Sequence, residues 1–378
     1  MANQHNNQKV NTKMRINMKT QTIVLAVLTA CSIGVANAGN VTGLTTFTTG
    51  TKAVASEVNG NFGAVKTAVD DNNSRTTTNT ADIATNIADI ASLQAATGPE
   101  HVAYVSPSGG DYADPVAAMT DLATWCGTPS ATNLCLVQIF PGVYDIGSGS
   151  VTMSAYVDVA GSGENVTRIT GVNGGFSSGI FIGASNSRLS NLTVANTGGG
   201  TSHNGIYIPG VVDSTFVVEH VTVTSSGGSS SNRGVLAFGS ATMRNVTITA
   251  TGVSSNFALN SAGGTLSIVN STIVATGGST NNSGVLFNNA GLVIIRGSTV
   301  DASGAGARGL HSACNLNCGA ATVQFSVIKG DTFAVDMETN FTLSASNSQL
   351  IGGVAAIGTR NCIYVSDGSF GALDATCQ

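Results

Sequence analysis

A string of the form Asn-x-Thr-(Val/Ile) recurs along the C-terminal two-thirds of the chain. Nothing else in the sequence restricts the possible folds as strongly. Its members begin at Asn165, Asn191, His220, Asn245, Asn270 and Gly297, with degenerate copies at Phe325 and Asn347. The intervals are 26, 29, 25, 25, 27, 28 and 22 residues. A second series keeps step with the first, at Gly179-Ile-Phe-Ile, Gly205-Ile-Tyr-Ile, Gly234-Val-Leu, Gly284-Val-Leu-Phe and Gly309-Leu-His. Two phased strand markers per repeat, separated by Gly, Ser and Asn clusters, predict the coils of a β-solenoid.

Each coil buries alternate Val, Ile and Leu but cannot cover them alone, so coils must stack at about 4.8 Å and pair their backbones with the coils above and below. Small polar residues at the corners let the chain turn. Asn165, Asn191, Asn245 and Asn270 hold equivalent places in successive coils, which predicts a structural amide ladder rather than a binding role. The expected fold class is all-β: a parallel β-helix with a short α-helical cap and a preceding coiled-coil segment.

The N-terminus predicts export. Lys9, Lys13, Arg15 and Lys19 precede the apolar run Ile23–Ala30, and Ala36-Asn37-Ala38 has the small-x-small form of a signal-peptidase site. Met14 or Met18 would start a signal of more ordinary length. Leu28-Thr29-Ala30-Cys31 offers the alternative of a lipid anchor at Cys31. The apolar run is short for a membrane span. Cleavage after Ala38 removes four of the 15 basic residues and none of the 20 acidic ones, so the mature chain is more acidic than the formal −5 of the whole. That excludes nucleic acid as a partner, because phosphate binding needs clustered positive charge. Six cysteines then remain, Cys126, Cys135, Cys314, Cys318, Cys362 and Cys377, in three sequence-local pairs. In an exported chain disulfides are the default, with connectivity left open, and Cys314-Asn-Leu-Asn-Cys318 with His311 nearby is a metal alternative. The domain plan is a signal peptide (1–38), a leader (39–57), a stalk (58–97) and the β-helix (98–378).

The stalk carries a heptad register. Position a holds Phe62, Val69, Thr76, Ile83, Ile90 and Thr97; position d holds Val58, Val65, Asn72, Asn79, Asn86 and Leu93. Successive Asn residues at d, in Val69-Asp-Asp-Asn72, Thr76-Thr-Thr-Asn79 and Ile83-Ala-Thr-Asn86, resemble the stalk repeats of trimeric autotransporter adhesins. The resemblance covers about 20 residues and departs from the usual pattern at Ile87, where Thr commonly follows the Asn. It implies a homotrimer through residues 58–97. Another oligomer, or a solvated and weakly helical linker, fits the Thr-rich segment Thr76–Thr80 as well.

The start of the β-helix also carries a resemblance. Val105-Ser-Pro-Ser-Gly-Gly-Asp-Tyr112 looks like an opening strand and glycine turn. Asp114 and Pro115 begin a helix as N-cap and N1, and Val116, Met119, Leu122 and Cys126 form one apolar stripe suited to closing the end of a solenoid. With Val137–Tyr144, Val157–Gly163 and Thr167–Gly171, this region resembles the pectin-esterase and pectate-lyase-like superfamily of right-handed parallel β-helices. The resemblance implies that fold and, where catalysis exists, action on polysaccharides. The family's catalytic strings are missing, and the only Trp is Trp125 in the cap.

The best remaining cluster for chemistry is Asp331, Asp336 and Glu338 with Arg308 and His311. Asp336 and Glu338 lie two apart and would share a strand face. His311 precedes Asp336 by one coil length, so the two would be neighbours on adjacent coils. Such a set could hold Ca2+ in a lyase or perform acid–base cleavage of a glycan; the alternative is a solvated face with a cross-strand ion pair. A second group is Asp213, Glu219, His220 and Arg244, where His220 reads as a variant of the Asn slot. His203, Tyr207 and Phe181 could form an exposed aromatic strip for sugar stacking. No cofactor motif is present. The expected function is an exported or cell-surface, adhesin-like module that binds glycans without catalysis; the alternative is a polysaccharide lyase or glycoside hydrolase.

Overall fold

The computed structural model describes residues 41, 44–96, 99–289, 291–314, 319–356, 358–369 and 371–377, with side chains for all of these except 85–96 and 356. The segment expected to be a signal peptide, including Cys31, lies outside the described residues, as do Thr97 and Cys318. The chain divides into two compact units, residues 1–97 and 98–378.

In the first unit one helix spans Ala55–Ala96. The leader lies against its first turns through the Asn61 amide: Thr45 N donates to Asn61 Oδ1 (2.7 Å), and Asn61 Nδ2 donates to Thr45 O (3.0 Å). Of the heptad residues, Phe62, Val65, Val69 and Ile83 are exposed on this single helix. Among the described residues no helix is long and apolar enough to cross a membrane.

The second unit is a parallel β-helix. Every strand pairing is parallel, and each strand pairs with one a coil away. One column runs Tyr144, Ile169, Val194, Val223, Ile248, Ile273, Val300, Ile328, Leu350. A second runs Val137, Val159, Leu189, Val218, Met243, Ile268, Ile295, Val323. A third runs Phe181, Ile206, Val235, Leu259, Val285, Leu310, Val335. All these residues are buried. Like sits on like because the alternating pattern of each strand, as in Cys135–Ile139, turns the same parity inward in every coil. The coil thus has three strand columns where the sequence pattern marks two.

The N-terminal end is closed as the sequence predicts. The helix Pro115–Thr120 starts at Asp114, whose Oδ1 accepts from Ala117 N (2.9 Å). A further turn follows at Leu122–Trp125. Val116, Met119, Leu122 and Trp125 pack on the core. Disulfides join Cys126 to Cys135 next to this cap and Cys362 to Cys377 at the other end. Cys314 is also in a disulfide.

The repeated Asn slot is not a buried amide ladder. Asn191, His220, Asn245, Asn270, Gly297, Phe325 and Asn347 all have φ between 47° and 57°, and all are exposed. The slot is a one-residue left-handed bend between two strands. Asn recurs because it tolerates that conformation better than other side chains do. Asn165 is exposed and does not share the positive φ. The ladder at this corner is made by the next residue. Ser271, Ser298, Ser326 and Ser348 are buried. The N–H groups of Val246, Ser271, Ser298 and Ser326 each donate to the serine Oγ one coil on, at 3.0 to 3.2 Å. A buried amide ladder does exist at another corner: Asn232 Nδ2 donates to Asn256 Oδ1 and Asn256 Nδ2 to Asn282 Oδ1, both at 3.0 Å. It satisfies polar groups that the tight winding removes from water.

Candidate functional site

The Gly-led strands build one distinctive lateral face. At Gly234 a Cβ would lie 2.2 Å from Ile248 Cγ2 and 2.6 Å from Ala258 O, so only glycine permits this close approach. The ladder pairing lapses at that residue, between Arg233↔Phe257 and Val235↔Leu259, with the register unchanged. Arg233 and Leu236 consequently both lie outside the core cluster, one on either side of the inward Val235. The same lapse repeats coil after coil and leaves two register columns outside the core cluster, in which Asn204, Ser283, Leu236 and Asn260 are nevertheless fully buried. One is Asn204, Arg233, Phe257, Ser283, Arg308, Phe333; the other is Tyr207, Leu236, Asn260, Leu286, His311, Asp336.

At the C-terminal part of this face the structure brings together three of the predicted residues. His311 and Asp336 are direct register partners. Arg308 Nε donates to Asp336 Oδ2 at 2.5 Å, and its Nη1 donates to Asn281 Oδ1 (3.1 Å) and Gly306 O (2.9 Å). His311 Nδ1 lies 3.1 Å from Ser283 Oγ. Burial, reinforced by the Arg308 charge and opposed by Asp336, pushes the His311 pKa down to about 4. The imidazole is neutral at pH 7.

The other predicted members are elsewhere. The strand Val327–Met337 ends before Glu338, so Glu338 is exposed instead of sharing the face of Asp336; its N–H donates to Ser312 Oγ (2.7 Å). Asp331 is exposed and accepts from Gly304 N (3.0 Å). Among the described residues no three His, Cys, Asp or Glu side chains converge to hold a metal ion.

The second predicted group also divides. Glu219 pairs with Arg188 (3.1 Å) and is the register partner of Arg244. His220 Nε2 lies 3.3 Å from Asn245 Nδ2. Asp213 caps its own turn, and the Thr215 hydroxyl and N–H hold its pKa below the usual carboxylate range. The expected aromatic strip is corrected. His203 and Phe181 are fully buried. His203 Nε2 accepts from Gly200 N (2.9 Å), and Nδ1 faces Ser226 O (3.2 Å), so the ring is a structural corner of the winding. Tyr207 alone reaches the face, edge-on to Phe238 (6.2 Å between centroids).

The most unusual residue of the face is one that the sequence motifs did not single out. Arg233 is 8% exposed, and its Nε and Nη1 are buried without a hydrogen-bond partner among the described residues. Its guanidinium lies 5.0 Å from the Phe176 ring centroid and 5.7 Å from that of Phe257. Burial pushes its pKa down to about 10. Asn204, one coil earlier in the same column, donates to Phe176 O (2.8 Å) and Ser178 O (2.6 Å), which fixes the Phe176 loop over the guanidinium. Asn204 Oδ1 and Asn260 Nδ2 are buried and unpartnered as well. Several unmet donors and one unmet acceptor therefore lie on neighbouring coils of one face. The signal in the sequence was positional: the residues before the marker glycines are Ser178, Asn204, Arg233, Ser283 and Arg308, and the last four share one register column outside the core cluster.

The sequence matches no protein-family model and no curated protein. Solved structures with a similar course of the chain include a pectin methylesterase from carrot (13% identity, 74% of this chain and 80% of that one, TM-score 0.42). A pectin methylesterase from Erwinia chrysanthemi is similar at 12% identity over 68% of this chain and 80% of its own, with a TM-score of 0.40. The A-module of a mannuronan C-5 epimerase from Azotobacter vinelandii is similar at 15% identity over 72% and 78%, also with a TM-score of 0.40. Likenesses this distant carry nothing about chemistry, and the parallel β-helix rests on the strand registers themselves.

Proposed function

We propose that the protein is an exported, non-catalytic glycan-binding β-helix, and that its ligand bears carboxylate groups. One observation carries this reading: the buried Arg233, held between Phe176 and Phe257 with two unpartnered N–H groups. An unpaired buried charge is costly and persists where something else supplies the counter-charge. A sugar acid has the complementary pattern, with a carboxylate for the guanidinium fork and hydroxyls for Asn204 Oδ1 and Asn260 Nδ2. The Phe176 ring, 49% exposed, must move aside for the carboxylate to enter. Disulfides at both ends of the β-helix agree with an oxidising, extracellular setting.

Polysaccharide cleavage is the second reading, favoured by the Arg308, His311 and Asp336 group. Hydrolysis uses two carboxyl groups across the scissile bond, and the only carboxylate in that group is ion-paired to Arg308. The two readings separate when the mature chain is incubated with polygalacturonate, alginate and neutral glycans. Retention on an immobilised acidic polymer without new reducing ends or unsaturated uronides is expected. Product release that disappears in Asp336→Ala would replace the binding role with catalysis.

The exposed Phe62, Val65, Val69 and Ile83 support the stalk as a homotrimeric coiled coil, because apolar a and d residues are covered by partner helices. The mature chain is expected to sediment as a trimer and a chain lacking residues 39–98 as a monomer. A monomeric mature chain would reduce this segment to a linker.

A further inference from the structure

The left-handed bend at the serine-ladder corner holds Asn, His or Gly in most coils. In two of the last coils it holds an aromatic residue instead. Phe325 has φ 50° and Tyr364 has φ 53°. A bulky side chain in this region is strained. Packing does not compensate, since Phe325 is 68% and Tyr364 84% exposed. Tyr156, another aromatic residue at positive φ, differs in that it is half-buried. The two exposed rings thus cost stability twice, through backbone strain and through apolar surface left in water.

Their placement is regular. Gln324, Ser346 and Ile363 are successive register partners, so the residues that follow them, Phe325, Asn347 and Tyr364, occupy three consecutive rungs. The backbone confirms the stacking, with Phe325 N donating to Ser346 O and Asn347 N to Ile363 O. The rings are two rungs apart, about 10 Å, with the exposed Asn347 amide between them.

We infer that Phe325, Asn347 and Tyr364 form a second carbohydrate-binding platform, separate from the Arg233 face and selective for uncharged sugars. Each ring offers a flat apolar face to a pyranose, and the amide between them bonds to hydroxyls. The ring separation is comparable to the length of a disaccharide, so alternate sugar units of a linear glycan meet successive rings. A protein partner would favour a continuous apolar patch, whereas here the rings are divided by the Asn347 side chain, and of the three flanking residues Gln324 and Ser346 are polar and only Ile363 is apolar and exposed.

The test uses the bend's own preferred residue. The double variant Phe325→Asn, Tyr364→Asn relieves both strained positions, so its melting temperature is expected to equal or exceed that of wild type. Titration of the mature chain with cellohexaose and chitohexaose, followed calorimetrically and by saturation transfer from the ring protons, is expected to show binding of at least one. The double variant should lose at least about tenfold in affinity, while Arg233→Met leaves this binding unchanged. The platform is refuted if wild type binds neither hexaose, or if the double variant binds within twofold of wild type. It is equally refuted if the substitutions lower the sedimentation coefficient, since the rings would then serve self-association.

Discussion

Arg233→Met is expected to melt higher than wild type and to bind acidic glycans about a hundredfold more weakly. The two effects share one cause. In the free protein the guanidinium is buried with Nε and Nη1 unpartnered among the described residues, and replacing even a paired buried charge by apolar side chains of similar volume is often neutral or stabilising by about 1–4 kcal/mol. Contact with Phe176 and Phe257 offsets part of that, since a cation–π pair contributes about 0.5–2 kcal/mol, and Met retains packing against both rings. A net gain of about 1–2 kcal/mol remains, or a few degrees in a domain of this size. With ligand bound the order reverses, because a charge-assisted bidentate contact worth about 3 kcal/mol is lost. Arg233→Lys keeps the charge but not the fork and is expected to bind weakly too. Phe176→Ala opens the guanidinium and is expected to bind at least as tightly as wild type. A melting temperature for Arg233→Met well below wild type, with polygalacturonate binding intact, would make Arg233 a structural residue and remove the basis for an acidic ligand.

The winding was legible because a solenoid writes itself as a period. A strand pattern that recurs every 22 to 29 residues stacks coil on coil, and the cap was readable from Asp114, Pro115 and the Val116–Met119–Leu122 stripe. The reason for the Asn slot was harder to read. A backbone bend and a side-chain ladder both demand a recurrent Asn. Gly297 was the discriminating residue, since glycine serves a bend and cannot form a ladder. The juxtaposition of His311 with Asp336 followed from one coil length. The expectation for Glu338 failed because alternation holds only while a strand lasts, and this strand stops at Met337. Arg233 went unnoticed because an arginine beside a glycine in a polar repeat resembles any solvated residue. Its burial depends on Phe176, about two coils earlier in the chain, and on the close approach at Gly234, neither of which the local string encodes. The periodic part of the fold is local information repeated, and the site is its non-periodic remainder.

That remainder includes His311, whose burial makes a measurable pH dependence. Its folded-state pKa is about 4, against 6.5 for an unperturbed imidazole. Above pH 6.5 both native and unfolded states hold a neutral ring and the group contributes no pH dependence. As pH falls from 6.5 towards 4, the unfolded chain takes up a proton that the native site refuses, so the native state loses stability by about 1.4 kcal/mol per pH unit. The total is about 3 kcal/mol as an upper bound, and below pH 4 this contribution is flat. Carboxylates begin to titrate at the lower end of this window, so the informative quantity is the difference between wild type and His311→Gln. The variant keeps a side-chain partner for the Ser283 hydroxyl but has no titratable group. Between pH 7 and 4.5 the melting temperature of wild type is expected to fall several degrees further than that of His311→Gln. Parallel profiles for the two proteins would mean that the ring is solvated in solution. Arg308 and Asp336 would then be an ordinary surface ion pair, with no desolvated environment around them for either binding or proton transfer.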